Sequence, residues 1–185
     1  MSQNSTTTST LKEAISLCQP ISLGQPTLEE KQELCKLLKK AIKDTWDPCP
    51  LDIHAMQKEF EDSGYDDKIL EKLQRDISFL CLGAQGLQTL TPSIRLLKGL
   101  RHLDLSCNQL DTLPKELIEI PELYTLHLQD NRFKKVPAVV VEMAKQHGFS
   151  SLKLNWNPEL KEIPISLKKR CRIISLPHHY VPIED

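Results

Sequence analysis

Leu100-Arg-His-Leu-Asp-Leu-Ser-Cys-Asn-Gln-Leu-Asp-Thr-Leu-Pro114 is answered, 23 residues on, by Leu123-Tyr-Thr-Leu-His-Leu-Gln-Asp-Asn-Arg-Phe-Lys-Lys-Val-Pro137. The pattern extends in both directions. Ile77, Leu80, Leu82, Leu87, Leu90, Ile94 and Leu97 precede it, and Phe149, Leu152, Leu154, Asn157, Leu160, Ile163 and Leu167 follow it. A fixed period of this size marks a stack of small units, none of which can bury its apolar face without a neighbour. Cys171, Ile174 and Leu176 resemble the start of one further unit, so residues 77–176 read as four repeats and a fragment.

Within each unit the apolar-x-apolar stretch predicts a short strand that pairs in parallel with the next. Asn108, Asn131 and Asn157 are expected to be structural, their amides satisfying backbone groups where the chain leaves the strand. Pro114, Pro137 and Pro164 are expected at the first helical position of each return segment. The first unit departs from the pattern: Gln85 replaces the Asn, Gly83 and Gly86 flank it, and Pro92 comes one place late. Residues 137–148 predict a longer helix, with Pro at its start and Gly at its end.

These residues make the chain similar to the leucine-rich repeat family over a little over half its length. The resemblance implies an α/β solenoid with a short parallel sheet on the concave face and a helical or irregular convex side. It also implies a role in recognising another protein.

Ahead of the repeats, residues 1–26 are expected to form a disordered or extended leader. Residues 27–76 read as an N-terminal α-helical cap. Thr27 and Glu30 form a capping-box signature, with Leu34, Leu37, Leu38, Ala41, Ile42 and Trp46 on one face. Two shorter helices are predicted over 51–62 and 66–76. Residues 177–185 form a C-terminal tail in which His178, His179 and Tyr180 are placed to close the open end.

Charge and cysteine usage exclude several classes. Residues 1–76 carry 10 basic and 14 acidic side chains, and residues 77–185 carry 14 and 11. Neither half shows the clustered basic face of a nucleic-acid binder. The basic run Lys168, Lys169, Arg170 and Arg172 reads first as a solvated helix end, with an acidic partner or membrane surface as the alternative. No segment is long and apolar enough to span a bilayer. The six cysteines lack metal-ligand spacing, and reduced thiols in a cytoplasmic setting are expected.

Residues alternating with the buried leucines face the concave surface in columns. The third position holds Phe79, His102, Thr125 and Ser151, and the fifth holds Cys81, Asp104, His127 and Lys153. The seventh holds Gly83, Ser106, Gln129 and Asn155, and the eighth holds Ala84, Cys107, Asp130 and Trp156. Arg132 extends the edge. From these the expected partner-binding residues are Phe79, His102, Asp104, Thr125, His127, Gln129, Asp130, Arg132, Ser151, Lys153, Asn155 and Trp156. Trp156 is either an exposed anchor or is packed beneath the 178–180 tail.

A zinc site at His102, Asp104 and His127, or a nucleophile at Cys81 or Cys107, would need converging geometry that an open sheet rarely supplies. No catalytic residue, metal or cofactor is expected. The protein reads as a binder and not an enzyme, monomeric on its own. Its architecture resembles small repeat effectors of intracellular bacteria, which implies delivery to a host cytosol. None of its cysteines is followed two places on by Asp, as in the ubiquitin-ligase subgroup of those effectors. The expected partner is a protein, such as an enzyme that it masks or inhibits or a fellow effector. The alternative is an adaptor whose helical region docks on a second complex.

Overall fold

The structure, a computed structural model, describes residues 26–43, 75–146 and 148–184. The expected leader (1–26), residue 26 apart, and most of the two shorter cap helices lie outside these residues. The repeats build a five-stranded parallel sheet from β1 (Phe79–Cys81), β2 (His102–Asp104), β3 (Thr125–His127), β4 (Phe149–Lys153) and β6 (Cys171–Ser175), in that spatial order. Its register keeps equivalent repeat positions side by side. Phe79 faces His102, His102 faces Thr125, Thr125 faces Ser151, and Ser151 faces Ile173. The leucines between them point the other way, and Leu103, Leu105, Leu126, Leu128, Leu152 and Leu154 are all buried.

The return segments change character along the stack. The first two are single 3-10 helices, Pro92–Leu96 and Lys115–Glu119, and the next two are α-helices, α2 (Ala138–Gln146) and α3 (Ile165–Arg170). The prolines take a different place from the one their sequence position suggests. Pro114 (φ −67°, ψ 139°) and Pro164 (φ −57°, ψ 134°) are N-caps, outside the helix. Pro137 likewise precedes α2, its carbonyl accepting from the N–H of Val140 (2.9 Å) and Val141 (3.4 Å). An extended ψ suits the non-helical cap position, so proline here directs the chain into the turn instead of occupying it. Pro92, one place later, sits inside its helix, and Thr91 takes the cap, its hydroxyl accepting from the Ser93 N–H at 3.3 Å.

The asparagines hold the stack at the point where each strand ends. The Asn131 amide donates to the carbonyls of Leu128 (3.2 Å) and Gln129 (3.3 Å) in its own unit and of Leu105 (2.9 Å) in the preceding one. Its Oδ1 accepts from the Leu110 N–H at 3.0 Å. Asn108 and Asn157 repeat this arrangement, reaching back to Leu82 (2.8 Å) and Leu128 (3.0 Å). All three are buried. Gln85 takes this place in the first unit, and its amide donates to the Gly83 carbonyl (3.4 Å) within that unit.

Helix α1 (Leu28–Lys43) precedes the repeats and opens with the expected capping box. The Glu30 N–H donates to Thr27 Oγ1 (3.2 Å) and the Thr27 N–H to Glu30 Oε2 (2.9 Å). Leu34, Cys35, Leu37 and Leu38 are buried in the same core as the repeats. The helix packs against the first 3-10 helix: Glu33 accepts from the Thr91 (2.7 Å) and Ser93 (3.1 Å) hydroxyls, and Glu30 pairs with Arg95 at 2.9 Å. It therefore begins the convex row. At the other end, β5 (Glu162–Pro164) pairs in parallel with β7 (Val181–Ile183), so the tail is fastened to the last return segment.

Asn131→Ala should lower unfolding free energy by about 3 kcal/mol, since it strands several buried backbone groups at once. Asn131→Asp should also destabilise, because a carboxylate cannot donate; urea titration followed by circular dichroism reads both. Gly148 has φ +71°, and a Cβ there would collide with the carbonyl oxygen of Arg170. Gly148→Ala should therefore cost more than the roughly 1–2 kcal/mol of a left-handed alanine, measured in the same titration.

Candidate functional site

Two columns of non-core side chains run across the sheet, perpendicular to the strands. The first contains Phe79, His102, Thr125, Ser151 and Ile173; the second contains Cys81, Asp104, His127, Lys153 and Ser175. Ile173 and Ser175 complete columns that the repeat reading left at four members. The signal was present in the register of Cys171, Ile174 and Leu176, which puts residues 173 and 175 at the third and fifth positions.

Inside the columns two contacts organise the side chains. The rings of Phe79 and His102 are 5.9 Å apart and tilted by 37°. His127 Nδ1 stands 3.6 Å from Asp104 Oδ2, while Asp104 Oδ1 accepts from the Ser106 N–H at 2.9 Å. Burial works against the charged form of Asp104. The His127 imidazole and the Ser106 hydroxyl and N–H outweigh it, and the carboxyl is held below the usual carboxylate value. His102 is thus drawn toward Phe79 and His127 toward Asp104. Among the described residues no group of three or more His, Cys, Asp or Glu side chains could hold a metal ion.

The eighth column has a property that the sequence did not signal. Ala84, Cys107, Asp130 and Trp156 all have positive φ, at 57°, 55°, 55° and 57°. Such a left-handed residue costs a non-glycine side chain roughly 1–2 kcal/mol. Glycine is the usual marker of that conformation and none of the four is glycine. The reversal swings these side chains away from the strand's alternation. Trp156 is 64% exposed, so the tail does not bury it; Tyr180 lies instead against Lys168, whose Nζ is 4.6 Å from the ring centroid. Asp130 and Arg132 are exposed, and Gln129 and Asn155 are half-buried in the seventh column beside Ser106.

Neither Cys107 nor Cys171 is an activated thiol. Partial burial of its sulfur and then the Asp130 carboxylate push Cys107 up. Burial pushes Cys171 up to about 11 against a smaller opposing hydrogen bond from Phe149. A nucleophilic cysteine needs the opposite shift. Two clefts among the described residues lie off the columns. One of about 420 Å³ is lined by residues including Asp111, Lys134 and Pro137, and one of about 490 Å³ lies between α1 and the first 3-10 helix.

The repeats are similar to those of known proteins. The family profile described as leucine rich repeat matches residues 80–137. A leucine-rich repeat protein of Leptospira interrogans has a solved structure that aligns at 34% identity and a TM-score of 0.52, covering 61% of this chain and 28% of that one. The leucine-rich repeat ectodomain of a receptor kinase from Arabidopsis thaliana aligns at 21% identity and a TM-score of 0.39, covering 56% and 73% of the two chains. No curated protein matches. The chain therefore spans little over a quarter of the Leptospira protein. The repeat region is a leucine-rich repeat domain, a kind of domain that generally mediates protein–protein interaction. Among the described residues no helix is long and apolar enough to cross a membrane.

Asp104→Asn tests the polar centre of the columns. A lowered folded-state pKa contributes stability above the carboxyl's unfolded value and loses it as pH falls through the folded value. The variant should therefore be about 1–2 kcal/mol less stable than the parent at neutral pH. The gap should close in acid below the carboxylate range, as read by urea titration across pH.

Proposed function

We propose that the chain binds a protein partner through the concave face. The observation that carries this reading is the pair of five-residue columns, held in register by continuous parallel pairing and not engaged in the core. Partner contacts are assigned to Phe79, His102, Asp104, Thr125, His127, Gln129, Asp130, Arg132, Ser151, Lys153, Asn155 and Trp156, with Trp156 as the anchor. A rigid aromatic on an otherwise polar rim is the kind of group that dominates binding energy.

Where the partner is an enzyme, covering its active site makes this protein an inhibitor. Host-cytosol delivery, suggested by the resemblance to small repeat effectors, is a setting in which such masking has use. Helix α1 directs Leu34, Leu37 and Leu38 into the repeat core, which supports a capping role for residues 28–43 over an adaptor role.

Affinity capture from host-cell and bacterial lysates should recover a stoichiometric partner with the parent protein. The recovered protein should bind a His127→Ala, Trp156→Ala variant at least about tenfold more weakly, a loss above 1.4 kcal/mol. A control variant on the convex side, Lys115→Ala with Glu116→Ala, should bind normally. Unchanged affinity in the concave variant, with loss in the convex one, would move the interface off this face.

A further inference from the structure

The four strands that end a sheet differ in how they are protected; β5 is three residues long and ends in Pro164. A sheet edge presents unpaired N–H and C=O groups, and proteins blunt such edges by shortness, proline or central charge. β1 is only three residues long. β7 carries Pro182 at its centre, paired with Ile163 in the register, and so has no N–H there to offer. β6 has neither device. It is five residues long, contains no proline, and its last three residues are Ile173, Ile174 and Ser175. Ile173 is 62% exposed.

Charge is gathered at one end of this strand. Lys168, Lys169 and Arg170 form the last turn of α3, which runs directly into β6, and Arg172 is its second residue. No Asp or Glu lies between Glu162 and Glu184, in a chain whose net charge is −1. Arg170 donates to the Lys145 carbonyl (2.7 Å) and Lys168 covers Tyr180. Lys169 and Arg172 are exposed, and among the described residues no ion pair engages them. Charges placed to block pairing would stand at the strand's middle. Here they stand at its start.

We propose that β6 is a docking edge for an extended acidic segment of another protein, which adds as a sixth strand parallel to the rest. Its backbone pairs with β6, an apolar side chain packs on Ile173, and carboxylates at its start meet Arg172 and Lys169. Backbone pairing supplies affinity and the charged end supplies orientation and selectivity. This site is separate from the concave columns' polar centre and from Trp156.

The test uses fluorescence anisotropy with the full chain and a labelled peptide, Glu-Asp-Glu-Val-Thr-Ile-Thr-Val-Thr-Gly. It should bind at least about tenfold more tightly than the same peptide with Lys at its three acidic positions, which corresponds to 1.4 kcal/mol. Binding should weaken with added salt, and proline in place of the peptide's central isoleucine should abolish it. Lys169→Glu with Arg172→Glu should reverse the preference toward the lysine peptide, whereas His127→Ala with Trp156→Ala should leave it unchanged. The peptide-side changes need no protein variant, so they remain decisive if the charge reversal fails to fold.

Equal affinity for the two peptides, or binding that survives the proline, would overturn the proposal. So would binding to phosphatidylserine vesicles without peptide binding. Self-association in sedimentation that Lys169→Glu with Arg172→Glu abolishes, together with no peptide binding, would assign the edge to a second copy of the chain and overturn it as well.

Discussion

Every strand in a stack of this kind must stop and turn while still covered by its neighbours, and the turn exposes backbone groups to an interior without water. The Asn side chain resolves this because one amide donates to carbonyls in two successive units and accepts from an N–H of the earlier one. An unpaired buried backbone group costs as much as a lost hydrogen bond. The leucine layers depend on this closure, since they can pack only if the chain between them can turn inside the core. The register depends on it too, because an amide anchored to the preceding unit fixes how far one strand slides on the next. The concave columns inherit their alignment from that register.

Much of the fold was legible because the repeat states the same rule several times. Ile77 through Leu167 assign the core, and Asn108, Asn131 and Asn157 assign the turns, since both follow from burial and hydrogen-bond satisfaction. Proline was harder to place. Pro92 and Pro114 differ by one position in the repeat, and only the extended ψ of Pro114 shows that it caps the helix while Pro92 lies within it. The capping box at Thr27 was a local signal and needed no tertiary information. The surface against which α1 packs did need it, because the Glu30–Arg95 pair joins residues 65 apart in sequence.

The candidate site was legible as positions but not as contacts. Alternation along each strand identifies His102, Asp104, Thr125 and His127 as surface residues, yet nothing in a period shows that His127 turns toward Asp104 and His102 toward Phe79. The left-handed residues at the eighth position were hidden for a different reason. Ala84, Cys107 and Trp156 have no local preference for that conformation, which the closure around the following Asn or Gln imposes on them.

The change from 3-10 to α-helical return segments also shapes the whole surface. Neighbouring strands stay about 4.8 Å apart everywhere, while packed α-helices keep their axes roughly 8–10 Å apart. A row whose outer side is wider than its inner side must bend, and it bends more where the outer elements are broader. Helix packing alone would therefore shorten the radius from the Phe79 end toward the Ile173 end. A bowl deepened in this way around Thr125, Ser151 and Lys153 would suit a partner that presents a knob more than one that presents a plane.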